Sequence, residues 1–500
     1  MKRTKIVATI GPASETKNMM ENMFRAGMNV ARLNFSHGTY EHHAKLIRNL
    51  RAAAKSTKTN LAILQDLQGP RIRIGVVPDV GIELKLDQEI NLIPEKIFKA
   101  KGKSALVGIP IQYPQLYRDL KTGDSVLIDD ASIELKVKKI SSQAIKCVVV
   151  TAGIIKTHKG MNFPKSLIKC PPVTAKDMKD VEFGISHGVD FIALSFVKDE
   201  KDVLSLRRRI LLLEKKYLKL NIGHERIGKP SEKGKLSGEH IRIIAKIERR
   251  EAINNFDKIL EAADGIMVAR GDLGIELPLE ELPMLQKSMI EKCRQAGKPV
   301  IVATQMLESM IKNPLPTRAE VSDVANAVLD GTDAIMLSGE SATGKYPLKA
   351  VQYMSRIARH MEQEEVVEQE AREGIFKNSK SITQVISFIS QDLAEDTTAA
   401  KLIVCATTSG FTARNISRFR SAVPIVAVTP SNLTRNQLAL SWSVDSEIVR
   451  YTDSFNVLLK SIKTLVLKKK LAKKGNTIVV VAGHPFGYKG QSNLIKVEVI

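Results

Sequence analysis

The sequence is short of cysteine, of aromatic residues and of long apolar runs. Of its 500 residues, four are cysteine and one is tryptophan, and aromatic residues make up 5%. The cysteines lie far apart and form no C-x-x-C pair, which excludes a disulfide framework and a zinc knuckle, so any metal chemistry has to use carboxylates. No stretch approaches the roughly 18 apolar residues that a membrane-spanning helix needs.

The amino-terminal segment does not have the pattern of a targeting sequence. A short apolar run, Ile6–Ile10, stands between Lys5 and the pair Gly11-Pro12. This run is too short for the core of a signal peptide and too strand-like for a transit peptide. We therefore expect a cytoplasmic protein with no membrane partner.

The chain carries a large positive charge. Lysine and arginine number 76 against 54 for aspartate and glutamate, which gives a formal net charge of +22. Such an excess raises the hypothesis of a nucleic-acid-binding protein, whose signature would be salt-dependent retention of DNA. The basic residues are spread along the chain without a recognisable binding motif, and few aromatics are available to stack on bases. We expect no nucleic-acid partner, and the positive field instead favours the collection of phosphorylated metabolites.

Eight short apolar runs alternate with turns and amphipathic segments. Alternation of buried strands with helices is typical of parallel β-α units, and eight such strands predict a closed (β/α)8 TIM barrel. The runs are Lys5–Ile10, Asn29–Phe35, Leu61–Leu67, Phe191–Val197, Ile241–Ile247, Gly265–Ala269, Pro299–Ala303 and Ala334–Leu337.

Two regions do not belong to this series of eight strands. Between Leu67 and Phe191, short alternating segments rich in turn residues predict a small β domain, inserted in a barrel loop and placed to act as a lid. From about Thr383, apolar runs alternate with helical stretches again, which predicts an open α/β domain. The irregular basic stretch 220–237 indicates a loop insertion. The expected boundaries are 1–69 and 165–345 for the barrel, 70–164 for the lid and 346–500 for the carboxyl-terminal domain.

Charged residues at the carboxyl ends of the predicted strands define a candidate site. Lys246 and Glu248 are two residues apart at the end of the fifth run, so their side chains point to the same face. In a barrel the strand ends meet at one mouth, where Glu248 and Asp272 would offer two carboxylates to Mg2+. Lys246 and Arg32 would add positive charge, and Gly271 would let backbone N–H groups approach a small anion. This set favours magnesium-assisted handling of a small phosphorylated acid.

Two turns raise further binding hypotheses. Gly339–Lys345 nearly matches a P-loop, but Tyr346 stands where the motif needs the Ser or Thr that binds magnesium, so a P-loop-type nucleotide hydrolase is kept only as an alternative. In the predicted carboxyl-terminal domain, a strand-to-helix turn rich in hydroxyls would suit a phosphate pocket. Its residues are Thr407, Thr408, Ser409, Gly410 and Thr412.

Several segments of the chain resemble the corresponding blocks of the pyruvate kinase family. The resemblance runs over nearly the whole chain, and its most specific part is Val268–Gly274 with Thr304–Ser309 and Pro316–Glu320. It implies a kinase that moves the phosphoryl group of phosphoenolpyruvate to ADP, giving ATP and pyruvate in the final step of glycolysis. It also implies a homotetramer. The segments are Thr4–Ser14, Asn29–Gly38, Ala245–Glu248, Asp264–Glu276, Ala303–Glu320 and Ser338–Lys345.

The resemblance implies a role for each residue of the candidate site. Glu248 and Asp272 would bind Mg2+ or Mn2+, and Lys246 would stabilise the phosphoryl group in transit and the enolate. Gly271, Asp272 and Thr304 would hold the substrate, with Arg32 on its phosphate.

Three further groups of residues take roles from the same resemblance. Ser338 and Glu340 would relay a proton to the enolate. The turn at Thr407–Thr412 would bind a phosphorylated allosteric effector. The residues expected to line the nucleotide end are Asn34, Ser36, His37, Arg73 and Lys159.

One segment departs from the family pattern. Potassium-dependent members typically read Asp-Thr-Lys-Gly-Pro-Glu-Ile-Arg-Thr where this chain has Asp66–Ile74, with Leu67, Gln68 and Arg71 in place of Thr, Lys and Glu. A fixed guanidinium at Arg71 could supply the positive charge that a bound potassium ion otherwise gives. We therefore predict that K+ is dispensable. The residues that remain available as K+ ligands are Asn34, Ser36, Asp66 and Leu67.

Overall fold

A computed structural model describes residues 2–100, 108–164, 166, 168–219, 240–364, 381–397, 399–483 and 492–500. The basic stretch 220–237 therefore lies outside the described residues. In these ranges no helix is both long enough and apolar enough to cross a membrane.

Eight parallel strands close into a barrel, which confirms the prediction from the eight apolar runs. The first strand completes the ring against the eighth, with Lys5 opposite Ala334. The strands are short, rich in β-branched residues and mostly buried on both faces, which is the pattern of a parallel sheet covered by helices. They are Lys5–Thr9, Val30–Asn34, Ala62–Asp66, Phe191–Leu194, Arg242–Ile247, Gly265–Ala269, Val300–Ala303 and Ala334–Leu337.

Helices connect the barrel strands and cover the outside of the barrel. The Thr16 hydroxyl accepts the Met19 N–H at the start of the first helix, and Gly27, with φ 118°, ends that helix. The α-helices and 3-10 turns are Lys17–Ala26, Tyr40–Thr57, Ala175–His187, Glu200–Lys219, Arg250–Asn254, Phe256–Ala262, Arg270–Glu276, Leu279–Glu281, Leu282–Ala296, Glu308–Ile311, Arg318–Leu329, Gly339–Ala342 and Pro347–Glu364.

The chain between the third and fourth barrel strands forms a separate β domain. Six of its strands make one sheet, antiparallel except where Glu89–Pro94 pairs with Gly108–Ile111. Leu92, Val126 and Leu135 are buried in a hydrophobic cluster of this domain alone. The strands are Ile82–Leu84, Glu89–Pro94, Gly108–Ile111, Ser125–Ile128, Ile133–Ile140, Ile145–Thr151, Gly153–Ile155 and Met161–Asn162, and the helices are Glu95–Ala100 and Leu116–Asp119.

The carboxyl-terminal domain is built on a five-stranded sheet. Its last strand, Leu494–Val499, is antiparallel at one edge, and the other four are parallel. In order across the sheet the strands are Val444–Ile448, Ile425–Thr429, Leu402–Ala406, Thr477–Ala482 and Leu494–Val499. The helical segments are Ile382–Asp392, Leu393–Thr397, Phe411–Ser417, Asn432–Gln437, Leu438–Leu440 and Phe455–Lys468.

The helix Pro347–Glu364 packs with the barrel. Ala350, Val351 and Met354 are fully buried in the same hydrophobic cluster as the first barrel strand and the first helix. The expected boundary between residues 345 and 346 therefore falls too early, because this helix completes the outer layer of the barrel. The amphipathic pattern of this helix shows that one of its faces is buried. It does not show which domain that face packs against.

The carboxyl-terminal domain is hydrogen-bonded to the amino-terminal ends of barrel strands. Arg242, the first residue of the fifth strand, donates to the Ser409 carbonyl at 2.5 Å and to Gln437 Oε1 at 2.8 Å. Arg420 is 1% exposed and lies 3.3 Å from Asp333, just before the eighth strand. The opposite ends of the strands form the mouth, where the inserted domain leaves the barrel.

Candidate active site

The fifth barrel strand ends in a pair of opposite charges. Lys246 Nζ lies 2.8 Å from Glu248 Oε1 and 3.2 Å from Asp66 Oδ1, and it donates to Ser195 Oγ at 2.8 Å. Burial disfavours the ammonium, but the carboxylates of Asp66 and Glu248 outweigh burial and raise the pKa of Lys246. The mouth therefore holds a buried ammonium that stays charged.

Arg32 joins this cluster through Asp66. Its Nε lies 2.7 Å from Asp66 Oδ2, and its Nη1 donates to Thr9 Oγ1 at 2.9 Å. Burial acts to raise the pKa of Asp66, but Lys246 and Arg32 together lower it below its ordinary value. One carboxylate thus fixes two cations that come from different strands.

Glu248 and Asp272 are paired at neighbouring strand ends. Glu248 Oε2 accepts the Phe196 N–H at 2.6 Å. Burial raises the pKa of Glu248, and the negative charge of Asp272 adds to that effect against the opposing charge of Lys246. Asp272 lies in the first turn of the helix Arg270–Glu276, and its side chain is 22% exposed. Two carboxylates that repel each other at an open mouth are suited to share a divalent cation.

The donor set fits Mg2+ or Mn2+ rather than a metal that needs many protein ligands. Over the described part of the chain, no group of three or more His, Cys, Asp or Glu side chains is arranged to hold a metal ion. A cation held by Glu248 and Asp272 would complete its shell with water and substrate oxygens, which is the coordination that Mg2+ prefers.

Thr304, at the end of the seventh strand, has a left-handed backbone. Its φ is 71°, and that of Gln305 is 56°, which is uncommon for residues other than glycine. Arg270 donates to the Thr304 carbonyl at 2.9 Å and binds both oxygens of Asp323 at 2.6 Å. The Gly271 N–H donates to Thr304 Oγ1 at 2.7 Å, so the structure brings these two predicted substrate-binding residues together.

Ser338 and Glu340 follow the eighth strand. Glu340 Oε2 accepts the Ser338 N–H at 2.7 Å, and Oε1 accepts the Leu307 N–H at 3.1 Å. Glu340 is 2% exposed, and burial raises its pKa. Inside Gly339–Lys345, the Gly344 N–H donates to the Gly339 carbonyl at 2.8 Å and the Lys345 N–H to the Ile311 carbonyl at 2.9 Å, whereas an anion cradle would need free donors. This geometry argues against the P-loop alternative.

Four of the residues expected at the nucleotide end lie close to the mouth or to its arginines. Asn34 Oδ1 accepts the Ser36 N–H at 3.1 Å. Burial lowers the pKa of His37, and the positive charges of Arg73 and Arg32 lower it further. His37 thus lies among positive charges, which suits the binding of an anionic ligand.

Two basic side chains of the inserted domain face different partners. Lys159, the fifth residue expected at the nucleotide end, lies 2.8 Å from Asp129 of its own domain. Arg71 instead lies 3.7 Å from Asp272 of the barrel and 3.4 Å from Asp130. The structure therefore brings Arg71 to the mouth and leaves Lys159 paired within the inserted domain.

Two of the residues named as K+ ligands already have protein partners. The Leu67 carbonyl accepts the Ser195 hydroxyl at 2.6 Å. Asp66 places one oxygen 2.7 Å from Arg32 and the other 3.2 Å from Lys246.

Ser195 and Phe196 hold the charged pair of the fifth strand and were not among the residues predicted from the sequence. A signal for Ser195 was present, because it is a polar residue near the end of the apolar run Phe191–Val197. The backbone N–H of Phe196 leaves no such signal, since any residue type carries one.

The hydroxyl-rich turn Thr407–Thr412 lies at the amino-terminal ends of the barrel strands, where Arg242 contacts it. Thr407 Oγ1 accepts the Gly410 N–H at 2.9 Å, and Thr412 Oγ1 lies 2.7 Å from Ser492 Oγ. The carbonyl of Thr408 accepts from Thr434, and that of Ser409 accepts from Arg242. The five predicted residues are therefore grouped, with two of their hydroxyls used inside the domain.

A barrel mouth that gathers two carboxylates, a buried lysine and an arginine has the charged groups of a phosphotransferase. Phosphoryl transfer depends on positioning and charge neutralisation, which these groups supply. Polar groups at the carboxyl ends of barrel strands are also where enzymes of this fold place their active sites.

Comparison with known proteins shows to which family of phosphotransferases the chain is similar. Residues 1–224 and 232–351 match the family model of the pyruvate kinase barrel domain, and residues 384–498 match that of the pyruvate kinase alpha/beta domain. A pyruvate kinase of Geobacillus stearothermophilus is 42% identical over 505 residues, covering 100% of this chain and 80% of that protein. One of Clostridium acetobutylicum is 39% identical over 501 residues, covering 100% of both. A crystal structure of a pyruvate kinase from Cryptosporidium parvum has a TM-score of 0.86 at 36% identity, covering 100% of this chain and 96% of that one.

The chain belongs to the pyruvate kinase family. Its activity is the transfer of the phosphoryl group of phosphoenolpyruvate to ADP, which yields ATP and pyruvate in glycolysis. The family resemblance and the three-part fold expected from the sequence are both confirmed. The family generally uses a divalent metal and potassium.

Proposed function

We propose that the barrel mouth carries out this transfer with Mg2+ or Mn2+ bound by Glu248 and Asp272. The convergence of these carboxylates with the buried Lys246, whose Nζ lies 2.8 Å from Glu248, carries the proposal. The cation would neutralise charge on the carboxylate and phosphate of phosphoenolpyruvate. Glu248 would then turn from Lys246, which leaves one N–H of the ammonium for the substrate.

Lys246 and Arg32 would hold the phosphoryl group in transit. The P–O bond to the enol oxygen breaks while an oxygen of the ADP β-phosphate forms the new P–O bond, so negative charge passes to the enolate oxygen. Lys246 would stabilise the phosphoryl oxygens and then the enolate, because a fixed cation in a dry site acts where charge develops. The enolate takes a proton at its methylene carbon and becomes pyruvate.

The substrate carboxylate would lie against Gly271, Asp272 and Thr304. Gly271 supplies a backbone N–H that now donates to Thr304 Oγ1 at 2.7 Å. Ser338 would deliver the proton to the enolate, with Glu340 holding the turn that carries it. The hydrogen bond from the Ser338 N–H to Glu340, at 2.7 Å, supports that pairing.

ADP would bind between the barrel mouth and the inserted domain. Residues 70–164 would act as a lid, and Lys159 would exchange its contact with Asp129 for a phosphate when the lid closes. Closure excludes water, so the phosphoryl group reaches ADP rather than being hydrolysed. The nucleotide-binding residues would be Asn34, Ser36, His37, Arg73 and Lys159.

Potassium would be dispensable, because Arg71 supplies positive charge beside Asp272. The contacts of Arg32 and Lys246 with Asp66 support this view, since they leave little of that carboxylate for a monovalent cation. Full activity in buffer free of sodium and potassium is expected, and a large stimulation by potassium would contradict it.

A phosphorylated effector would bind the turn Thr407–Thr412. The bond from Arg242 to the Ser409 carbonyl, at 2.5 Å, supports a link from this turn to the strand that carries Lys246.

Assembly as a homotetramer has support from apolar side chains on the outside of the barrel. Leu279 and Met284 are each 69% exposed, and Val321 is 36% exposed. Burying such residues against a second copy of the chain would stabilise an oligomer.

The first experiment measures pyruvate from phosphoenolpyruvate, ADP and Mg2+. Lys246→Ala should leave only a small residual turnover, whereas Lys345→Ala, in the P-loop-like segment, should leave most of it. The reverse result would restore the P-loop alternative.

A further inference from the structure

Ser195 lies between the start of the inserted domain and the Lys246–Glu248 pair. It is 1% exposed, donates its hydroxyl proton to the Leu67 carbonyl at 2.6 Å and accepts from Lys246 Nζ at 2.8 Å. A hydroxyl has a single proton. The Leu67 carbonyl is the closer acceptor for that proton, since Asp66 Oδ1 lies 3.4 Å from Ser195 Oγ, and the Ser195 oxygen accepts from Lys246.

Phe196, the next residue, holds the other member of the pair. Its N–H donates to Glu248 Oε2 at 2.6 Å, and its φ is 55°, a conformation that is costly for a bulky residue. Strain of this kind is retained mainly at functional sites. Two adjacent residues thus fix the lysine and the glutamate separately, one through a side chain and one through the backbone.

We infer that Ser195 is a positioning residue for Lys246, an inference that rests on the role proposed for that lysine. An ammonium has three N–H groups; here one donates to Ser195 Oγ, and the carboxylate oxygens of Glu248 and Asp66 lie 2.8 and 3.2 Å from the nitrogen. When Glu248 turns to a divalent cation, Asp66 and Ser195 are left to aim the third N–H at the phosphoryl group. Asp66 also binds Arg32, whereas Ser195 is the uncharged acceptor to which Lys246 donates.

Ser195→Ala removes this acceptor without changing charge. We expect kcat to fall by roughly 10- to 100-fold, the cost of a small misplacement of a catalytic group. The KM for ADP should not change, since Ser195 contacts none of the residues proposed for the nucleotide. Ser387→Ala is the matched control, because Ser387 is also fully buried and donates to a carbonyl, that of Thr383 at 2.7 Å in the carboxyl-terminal domain. Its kcat should equal that of the unsubstituted enzyme.

Binding of Mn2+, followed by electron paramagnetic resonance, separates positioning from local collapse. Phe196 still holds Glu248 in Ser195→Ala, so the Kd for Mn2+ should stay within about twofold of the unsubstituted value. A matching loss of Mn2+ affinity and of kcat would show that the strand end has collapsed and would overturn the inference. An unchanged kcat would overturn it as well.

The Lys246→Ala background distinguishes this inference from the proposed function. If Ser195 acts through Lys246, Ser195→Ala should cause no further loss of the residual rate in that background, measured at high enzyme concentration. A further loss of tenfold or more would mean that Ser195 acts independently. Full activity of Lys246→Ala would refute the role proposed for the lysine itself, whereas a neutral Ser195→Ala beside an inactive Lys246→Ala would leave that role standing.

Discussion

Reversing the charge at Arg71 should make the enzyme depend on potassium. Arg71 Nη2 lies 3.7 Å from Asp272 Oδ1, and the two side chains are 31% and 22% exposed. In Arg71→Glu a carboxylate would replace the cation next to the proposed metal ligand. The substrate and the divalent cation would then meet excess negative charge, and a monovalent cation would be needed to offset it.

The expected loss of activity in Arg71→Glu follows from the distance between the charges. Two unit charges 3.7 Å apart interact by about 1 kcal/mol in water and by about 4 kcal/mol at an effective dielectric constant of 20. Partial exposure favours the lower value. A substrate anion held at a similar distance from residue 71 would lose one attraction and meet one repulsion, so about 2 kcal/mol of binding is lost, which corresponds to roughly a 30-fold fall in kcat/KM.

The assay compares kcat/KM for phosphoenolpyruvate with and without K+, using tetramethylammonium to keep ionic strength constant. Potassium should restore only part of the activity of Arg71→Glu, because one added charge offsets half of a two-charge change. Arg118→Glu is the control, since Arg118 is an exposed arginine of the inserted domain that contacts Tyr117. Equal activity of Arg71→Glu in both buffers would refute the reasoning.

Two stability predictions follow from buried charge and backbone conformation. Asp66→Asn should lower the free energy of unfolding near neutral pH by about 3 kcal/mol, because it leaves Lys246 without one of its carboxylates. The stabilisation from Asp66 is present above the ordinary pKa of aspartate and is lost as the pH falls through its lowered pKa, so urea unfolding of the variant should show a smaller loss on acidification. Gly27→Ala should cost about 2 kcal/mol, since φ is 118° and the new Cβ would lie 2.9 Å from Ser355 Oγ. Gly123→Ala, with φ 93° but no atom within 4 Å, should lower the melting temperature less.

The barrel and its charged strand ends could be predicted from the sequence because both depend on local pattern. A strand alternates its side chains, so Lys246 and Glu248 had to share a face, and they lie 2.8 Å apart. Parallel strands align their carboxyl ends, so residues from distant segments, such as Arg32 and Asp66, had to meet.

The remaining features depend on tertiary contacts that leave little trace in the sequence. The strand Val444–Ile448 was missed because Asp445 and Glu447 interrupt its apolar residues. The helix Pro347–Glu364 was placed in the wrong domain because amphipathicity shows that a face is buried but not against what. The contact between Phe196 and Glu248 uses a backbone N–H, which no residue type encodes.

By the charge balance of the mouth, one substitution in the inserted domain would alter the cation requirement. Among the described residues, three cations at the mouth are paired with three carboxylates before a ligand binds. They are Lys246, Arg32 and Arg71 on one side and Asp66, Glu248 and Asp272 on the other. Phosphoenolpyruvate brings a carboxylate and a phosphate of about −2, so with a divalent cation it adds about one negative charge. A mouth with glutamate at position 71 would start two charges lower and would bind that complex against its own repulsion, which a potassium ion would relieve.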